Sequence, residues 1–332
     1  MLRRDRVAVV VGVTFVCAWL GVWLAADAQP SPKVARIAIV WPGPRSQVPP
    51  ALPDALRQGL RAAGWIDGGN VHIDQHYIER ENRLGDVLAG ILRAEPAVLV
   101  TPGTPLTLAV HRAAPGVPIV MVAGADPVAT GLVTNLAHPG GSVTGLTGFA
   151  ADLGPKSLEL IRELLPRASR VAALWNSANP GAALWLTEAR SGAGRFGLIL
   201  HAVEFRAEPD LDAAFQAIQR LRPDALAVGP DPIAIGYRER IVEFAARLRL
   251  PAIYPYREFL TAGGLIAYTN DLRDLFRRAA SYIDKILRGT PPGDLPIQQP
   301  TKFELVINLK AAKAIGLTIP DSLLVRADQV IE

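Results

Sequence analysis

Short runs of β-branched residues alternate with segments of helical periodicity along most of the chain, and this alternation restricts the fold more than any other feature. The first run, Ala35 to Val40, ends at a Pro/Gly turn, after which Leu52, Leu56 and Leu60 recur at helical spacing. Such an order is typical of βαβ units around a parallel sheet. We therefore predict an α/β protein whose strands are mostly parallel.

The alternation runs through two similar series, which predicts two lobes. The second series begins after Gly154-Pro155. A mature chain of about 300 residues is long enough for two domains. The tail after Tyr254 is too long to be a short segment that only covers the end of a lobe. We therefore predict that its elements join the two lobes alternately, so that several crossovers between the lobes form a hinge. The expected boundaries of these Rossmann-like, doubly wound lobes are 33–148 plus about 255–288 for lobe 1, and 149–254 plus about 289–332 for lobe 2.

The N-terminus has the pattern of an export signal. A basic stretch from Arg3 to Arg6 precedes an apolar run from Val7 to Ala26, and Ala26-Asp27-Ala28 supplies small residues for cleavage. Cleavage would remove residues 1–28 and leave Gln29 as the first residue. The apolar run of about twenty residues is also long enough to span a bilayer, so a retained membrane anchor stays open as an alternative.

The single cysteine and the charge distribution exclude several classes of function. Cys17 lies inside the apolar run and follows Val16, where a lipoprotein signal has a small residue, so we predict no lipidation. A mature chain without a thiol has no disulfide, no thiolate metal ligand and no cysteine nucleophile. The net charge of +4 comes from arginines scattered along the sequence, so nucleic acid is not an expected partner.

Three motifs that suggest enzyme chemistry lack the context that this chemistry needs. The G-x-G-x-x-G from Gly192 to Gly197 follows a predicted helix and precedes a predicted strand, the reverse of a dinucleotide-binding turn, so we interpret it as a connector. Gly140 to Thr144 ends in threonine and fails the G-x-S-x-G pattern. His72 and His76 would stand about 13 Å apart along a strand, too far apart to share a metal ion. We predict no catalytic residues, no metal and no cofactor, with an exported α/β enzyme as the alternative.

Polar and aromatic residues are concentrated just beyond the predicted strand ends. In open α/β sheets, ligands bind outside the carboxyl ends of the strands. Each of these loops taken alone is also explained by ordinary turn chemistry. Together they predict a cleft between the lobes. The candidate ligand-binding residues are Trp41, Gly43, Thr101, Gly103, Thr104, Asp126, Asn176, Asn179, Asp231, Tyr254, Tyr256 and Tyr268.

Seven blocks of residues carry a resemblance to a known family. The blocks are Leu60 to Trp65, Thr101 to Pro105, Asp126 to Val133, Pro139 to Gly145, Asn176 to Pro180, Ala252 to Phe259 and Gln299 to Asn308. In these blocks the chain resembles the tryptophan/tyrosine-type substrate-binding proteins of ABC transporters. The resemblance implies a type I periplasmic-binding fold, in which two lobes joined by three crossovers close over a solute, and it implies a membrane permease and an ATPase as partners.

The resemblance and the strand-end positions together suggest roles for the candidate residues. Thr104 and the helix that follows it are expected to hold a carboxylate, because free N–H groups and the helix dipole favour an anion there. Asp126 would orient a donor on the ligand or serve the turn alone. Asn176 and Asn179 would contribute from the opposing lobe. The aromatic candidates are expected to stack on the ligand or to pack in the core, and they are Trp41, Trp175, Tyr254 and Tyr256.

The function expected from these features is that of an exported, periplasmic and monomeric solute-binding protein of an ABC importer. Its ligand would be a small carboxylate or an amino-acid-like molecule with an apolar or aromatic body. In family members that hold amino acids the second-lobe loop often carries Asp-Asn, whereas this chain has Asp231-Pro232, and this departure argues against an amino acid. A ligand-sensing domain of a membrane-anchored receptor is a further alternative.

Overall fold

Two β-sheets organise the chain in the computed structural model, which describes residues 34–79, 83–148 and 153–332. The predicted export signal, its cleavage site and the anchor alternative lie outside these residues. Within the described residues no helix is long and apolar enough to cross a membrane.

The first sheet contains five parallel strands in the order β2-β1-β3-β4-β5. Its last three strands are buried along their whole length, as expected for a parallel sheet with helices on both faces. A register shift between Val122 and Gly124 marks a bulge at the end of β4. The strands are β1 (Ala35–Pro42), β2 (Val71–Ile78), β3 (Val98–Pro102), β4 (Ile119–Gly124) and β5 (Val143–Thr147).

Four helices among the described residues belong to the first lobe. Three of them lie between its strands: α1 (Ala51–Ala62), α2 (Leu84–Arg93) and α3 (Thr104–Ala113). The fourth, α10 (Leu272–Leu287), comes from the tail of the chain and packs along α1. Their contact is close at Gly59, where an added Cβ would overlap the carbonyl oxygen of Arg277.

The second sheet contains seven strands in the order β12-β11-β10-β9-β8-β6-β7. Among these described strands the pairing is parallel except between β10 and β11, which run antiparallel. The strands are β6 (Arg170–Asn176), β7 (Ile199–Phe205), β8 (Ala225–Val228), β9 (Ala252–Tyr254), β10 (Ile266–Thr269), β11 (Glu304–Asn308) and β12 (Gln329–Ile331).

Helices of the second lobe connect these strands. They are α4 (Leu153–Leu164), α5 (Pro180–Ala193), α6 (Asp210–Leu221), α7 (Pro232–Gly236), α8 (Arg238–Arg247), α9 (Glu258–Thr261), α11 (Leu309–Ala314) and α12 (Asp321–Arg326). The G-x-G-x-x-G lies where α5 gives way through a short 3-10 turn to β7, and Gly197 adopts the left-handed conformation with φ 61°. The interpretation of this motif as a helix-to-strand connector is therefore confirmed.

The chain crosses from one lobe to the other at positions that differ from the expected boundaries. Strand β10, expected in lobe 1, pairs with β9 and β11 in the second sheet. Residues 292–298, expected in lobe 2, run beside β5, where Thr147 N–H donates to the Gln298 carbonyl (2.9 Å). A buried strand has the same apolar sequence whichever sheet it joins, so the pattern of residues does not specify its partner.

Candidate ligand-binding site

The carboxyl ends of both sheets border a narrow slot between the lobes. The slot has a volume of about 40 Å³, which is little more than one or two water molecules need. Its lining is mostly apolar, and the polar side chains among the lining residues are Gln47, Tyr256 and the indole of Trp41. The lining residues are Trp41, Pro42, Gln47, Val48, Pro49, Leu52, Pro102, Gly103 and Ala123 from the first lobe, Leu272 and Phe276 from α10, and Pro232, Ile235, Gly236 and Tyr256 from the second lobe.

One wall of the slot is an aromatic stack. Trp41 is the last buried residue of β1 and stacks on Phe276, with ring centroids 5.2 Å apart and an interplanar angle of 21°. The indole N–H donates to the Gln75 side-chain oxygen (3.1 Å), which satisfies its polar atom. The orientation of Trp41 is therefore fixed from two sides, and its ring offers a flat apolar surface to the slot.

Small residues allow the lobes to meet along the rim of the slot. A Cβ built on Gly103 of the first lobe would overlap Cγ of Pro232 in the second. A Cβ on Gly181 would lie 2.6 Å from the Ala125 Cβ, and one on Gly236 would lie 2.6 Å from the Gln47 Oε1. At these three places the lobes approach each other closely, and each approach depends on a glycine.

The start of helix α3 lies on the first-lobe side of this rim. Gly103 precedes the helix with φ 74° and donates its N–H to the Val122 carbonyl (2.8 Å). Thr104 Oγ1 accepts the Ala125 N–H (2.8 Å), so the hydroxyl proton of Thr104 is still available for a further acceptor. Thr101 lies beneath the helix, where its hydroxyl is 2.8 Å from the Thr107 hydroxyl.

A buried carboxylate organises the second-lobe loops. Asp231 is inaccessible to solvent and caps α7 by accepting the Ala234 N–H (2.9 Å). Its other oxygen accepts the side-chain amides of Asn176 (3.1 Å) and Asn179 (2.8 Å). Asn179 in turn caps α5 by accepting the Gly181 N–H (2.9 Å). This cluster ties two loops at the carboxyl ends of β6 and β8 into one rigid unit behind the slot.

Burial perturbs the titratable groups around this cluster. It raises the pKa of the Asp231 carboxyl, although the Asn179 amide and the Ala234 N–H act in the opposite direction. It also raises the pKa of Tyr256 well above the ordinary value, and the nearby carboxyls of Asp231 and Glu258 add to this shift. The pKa of Glu258 is raised by burial as well, and its Oε2 has no hydrogen-bond partner among the described residues.

The structure brings only some of the candidate residues together. Trp41, Gly103 and Tyr256 line the slot, and the Asp231 cluster supports it from behind. Asp126 is exposed, and its carboxylate accepts the backbone N–H groups of Val128 (2.8 Å) and Ala129 (3.1 Å), which is a turn-forming role.

The remaining candidates lie in local packing. Tyr254 stacks on Phe259 (4.9 Å between ring centroids) and Tyr268 on Phe303 (5.7 Å), and neither tyrosine is among the slot-lining residues. Gly43 turns the chain after β1 with φ 82° and donates its N–H to the Ile78 carbonyl (2.9 Å). Its neighbour Pro42 lines the slot instead.

Several lining residues escaped the sequence analysis. Gln47 lies in a short 3-10 turn, and Ile235 lies on the helix that Asp231 caps. Phe276 lies on α10, far along the chain from Trp41. Pro42, Pro102 and Pro232 are different, because each of these lining residues stands in a loop that the sequence analysis had placed at a strand end.

In the described parts of the chain, no three histidine, cysteine, aspartate or glutamate side chains are placed to hold a metal ion together. His72 and His76 lie on β2, at the edge of the first sheet. Burial lowers the pKa of His76, while Asp74 acts against this shift.

Comparison with known proteins gives consistent matches. Residues 51–331 match the family described as ABC transporter substrate binding protein. A tyrosine-binding protein of Clostridioides difficile is 25% identical over 276 residues, which are 81% of this chain and 78% of that protein. A conserved domain protein from Vibrio cholerae superposes with a TM-score of 0.82 at 28% identity, over 90% of this chain and 100% of the other.

A structure from Streptococcus pneumonia, described as an ABC domain in complex with L-Trp, also superposes with a TM-score of 0.82 at 24% identity, over 90% of this chain and 99% of the other. More distant structures with the same fold include a leucine-binding protein of Thermotoga maritima, with a TM-score of 0.56. The fold is thus the two-lobe, type I periplasmic-binding architecture. The family consists of solute-binding proteins, and with a match that spans most of its length this chain belongs to the ABC transporter substrate-binding proteins.

Proposed function

We propose that the protein is exported, captures a small ligand in the slot between its lobes and presents it, chemically unchanged, to a permease and ATPase for import. The observation that carries this proposal is the composition of the slot, which is lined by residues of both lobes, including two from α10 of the first lobe. A ligand held there would contact both lobes at once, and its binding would therefore be coupled to their separation and closure.

The apolar lining supports a ligand with an apolar or aromatic body. Trp41 and Phe276 present flat rings, and prolines and aliphatic side chains form much of the remaining surface. The tyrosine-binding relative and the tryptophan-bound neighbour hold ligands of this shape. The slot of about 40 Å³ is smaller than such a ligand, so we propose that the lobes separate to admit the ligand and close again at the rim, while the lining side chains move apart around it.

Thermal unfolding with a panel of small molecules tests the proposal. A ligand at a hundred times its Kd raises the free energy of unfolding by about 2.7 kcal/mol, which moves the Tm by several degrees. We expect aromatic and branched aliphatic carboxylates or amino acids to raise the Tm, and sugars and polyamines to leave it unchanged. Mass spectrometry of the recovered ligand should find it intact.

Two results would contradict the proposal. A panel without a single Tm shift would refute the ligand class, and a chemically altered ligand would favour an enzyme. Small-angle scattering adds a check on the mechanism, because the radius of gyration should differ between the free and the saturated protein. An identical radius of gyration for the free and the saturated protein would indicate that the lobes do not move on binding.

A further inference from the structure

Tyr256 provides an unused hydrogen-bond donor at the slot. The residue is 3% exposed and is one of the slot-lining residues. Burial and the charges of Asp231 and Glu258 act on its hydroxyl, and no hydrogen bond to another described residue does so, although buried tyrosine hydroxyls normally have a partner. Burial raises the pKa of this phenol well above the ordinary value, so the hydroxyl keeps its proton. The hydroxyl is therefore a protonated donor that a ligand in the slot could use.

A second set of donors lies across the slot. Gly103, which precedes α3, lines the slot, and the first N–H groups of the helix have no intrahelical acceptor. The helix dipole adds partial positive charge at this end. Tyr256 on one side of the slot and the N-terminus of α3 on the other would therefore each favour a hydrogen-bond acceptor or an anionic group on the ligand.

The nearby acidic side chains accept hydrogen bonds elsewhere or lie outside the slot lining. Both oxygens of Asp231 accept hydrogen bonds from their own lobe, and the residue is not among those lining the slot. Asp126 is exposed and holds two backbone N–H groups. Glu258 is likewise outside the lining, and burial raises its pKa, which favours the uncharged acid. Among the described residues, the slot lining contains no charged side chain of either sign, and burying an ion without a partner is costly. A carboxylate would have the Tyr256 hydroxyl and the positive end of α3 as partners, whereas an ammonium group would have only the neutral amide of Gln47.

We propose that the ligand is an apolar or aromatic carboxylate without an ammonium group, and that Tyr256 donates its hydroxyl hydrogen bond to that ligand. This inference rests on the proposed function and narrows its ligand class. Pro232 also lines the slot, and because proline has no N–H, this position offers the ligand apolar surface and no hydrogen-bond donor. The site then selects against amino acids by leaving their ammonium groups unpaired.

Matched pairs of ligands isolate the ammonium group. Isothermal titration would compare 3-phenylpropionate with phenylalanine, indole-3-propionate with tryptophan, and 4-methylpentanoate with leucine. Each pair differs only in the amino group. We expect the acid without the amino group to bind at least tenfold more tightly than its partner, which corresponds to about 1.4 kcal/mol.

The outcomes of these titrations separate the inference from the proposed function. If an amino acid binds as tightly as its partner acid, the inference is wrong and the solute-binding function stands. If no member of any pair binds, the inference and the proposed ligand class both fail.

Two tyrosine variants test the donor. Tyr256→Phe removes only the hydroxyl, and we expect it to weaken carboxylate binding roughly tenfold or more. Tyr254→Phe is the matched control, because Tyr254 is equally buried two residues away but stacks on Phe259 outside the slot. It should bind the acids like the unmodified protein. Equal affinities of both variants, with Tm values of the ligand-free proteins unchanged, would refute the role of Tyr256.

Discussion

Gly103 and Pro232 approach each other across the slot so closely that a methyl group added at Gly103 would overlap the Cγ of the proline ring. The first residue stands before α3 in lobe 1, and the second begins α7 in lobe 2. The lobes can come this close because Gly103 has no side chain, and the ring of Pro232 prevents a closer approach.

Gly103→Ala is expected to hold the lobes apart. Because Gly103 has φ 74° and ψ 168°, a conformation that is essentially restricted to glycine, the substitution also strains the backbone by about 1–3 kcal/mol. Gly131→Ala serves as the matched control, since Gly131 has φ 72° and an added Cβ would meet nothing within 4 Å. We expect both variants to lose stability in urea, but only Gly103→Ala to weaken ligand binding and to enlarge the radius of gyration of the saturated protein.

The double variant Gly103→Ala with Pro232→Ala sharpens this test. Removing the ring carbons makes room for the new methyl group, so binding should recover in part. Equal binding by Gly103→Ala and Gly131→Ala would show that the contact with Pro232 does not limit closure.

Asp231→Ala is expected to destabilise the protein by about 2–4 kcal/mol, because the amides of Asn176 and Asn179 lose their buried acceptor and α7 loses its cap. Asp126→Ala provides the comparison, since the exposed Asp126 accepts two backbone N–H groups that water can reach. Its cost should be about 1 kcal/mol or less. Urea unfolding measures both values, and a loss below about 1 kcal/mol for Asp231→Ala would contradict the structural role of the cluster.

These two aspartates show what the sequence alone can and cannot specify. Both occur as Asp-Pro dipeptides after strand ends, and in sequence they are equivalent. One is buried because two asparagines from another loop reach it, whereas the other faces solvent. Burial at this level depends on contacts between residues distant in the chain, and no local pattern encodes them.

The secondary structure was predicted more completely than the slot. Helix α10 spans Leu272 to Leu287 and carries two local signals, an apolar periodicity and the Asp271 cap. The pairing of Trp41 with Phe276 joins a strand end to this distant helix, and packing of α10 on the first lobe creates it. The partner sheet of β10 was missed for the same reason.

Glu258→Gln should change the dependence of stability on pH. The folded protein raises the pKa of Glu258 by burial and by repulsion from Asp271, against the opposing effects of Arg273 and Arg238. A carboxyl with a raised folded-state pKa binds its proton more tightly in the native than in the unfolded state. The unmodified protein therefore loses stability as the pH rises above the ordinary glutamate pKa of about 4.3, until the folded-state pKa is passed.

The variant has no such titration. It should match the unmodified protein near pH 4 and exceed it in stability near pH 8, as measured by urea unfolding at both values. Glu188→Gln, at an exposed helix position, is the control. A constant difference between Glu258→Gln and the unmodified protein across this range would contradict the argument.

Export predicts a processed N-terminus. We expect N-terminal sequencing of the protein from osmotic-shock fluid to begin at Gln29, because Ala26-Asp27-Ala28 offers the small residues that cleavage requires. Membrane-bound protein that retains the stretch from Arg3 to Arg6 would support the anchor alternative.

Phe276→Leu should alter which ligands bind, because this residue supplies one ring of the aromatic wall. Leucine is smaller and lacks the flat face, so the slot widens beside Trp41. Phe259→Leu is a matched control: Phe259 is also fully buried and also stacked, on Tyr254, but it lies outside the slot lining. Both variants should cost about 1–2 kcal/mol in urea unfolding. Only Phe276→Leu should raise the affinity for indole-3-propionate relative to 3-phenylpropionate, since the larger ring system gains the space. If both variants change this ratio equally, the stack of Trp41 and Phe276 shapes the core of the protein and not its ligand preference.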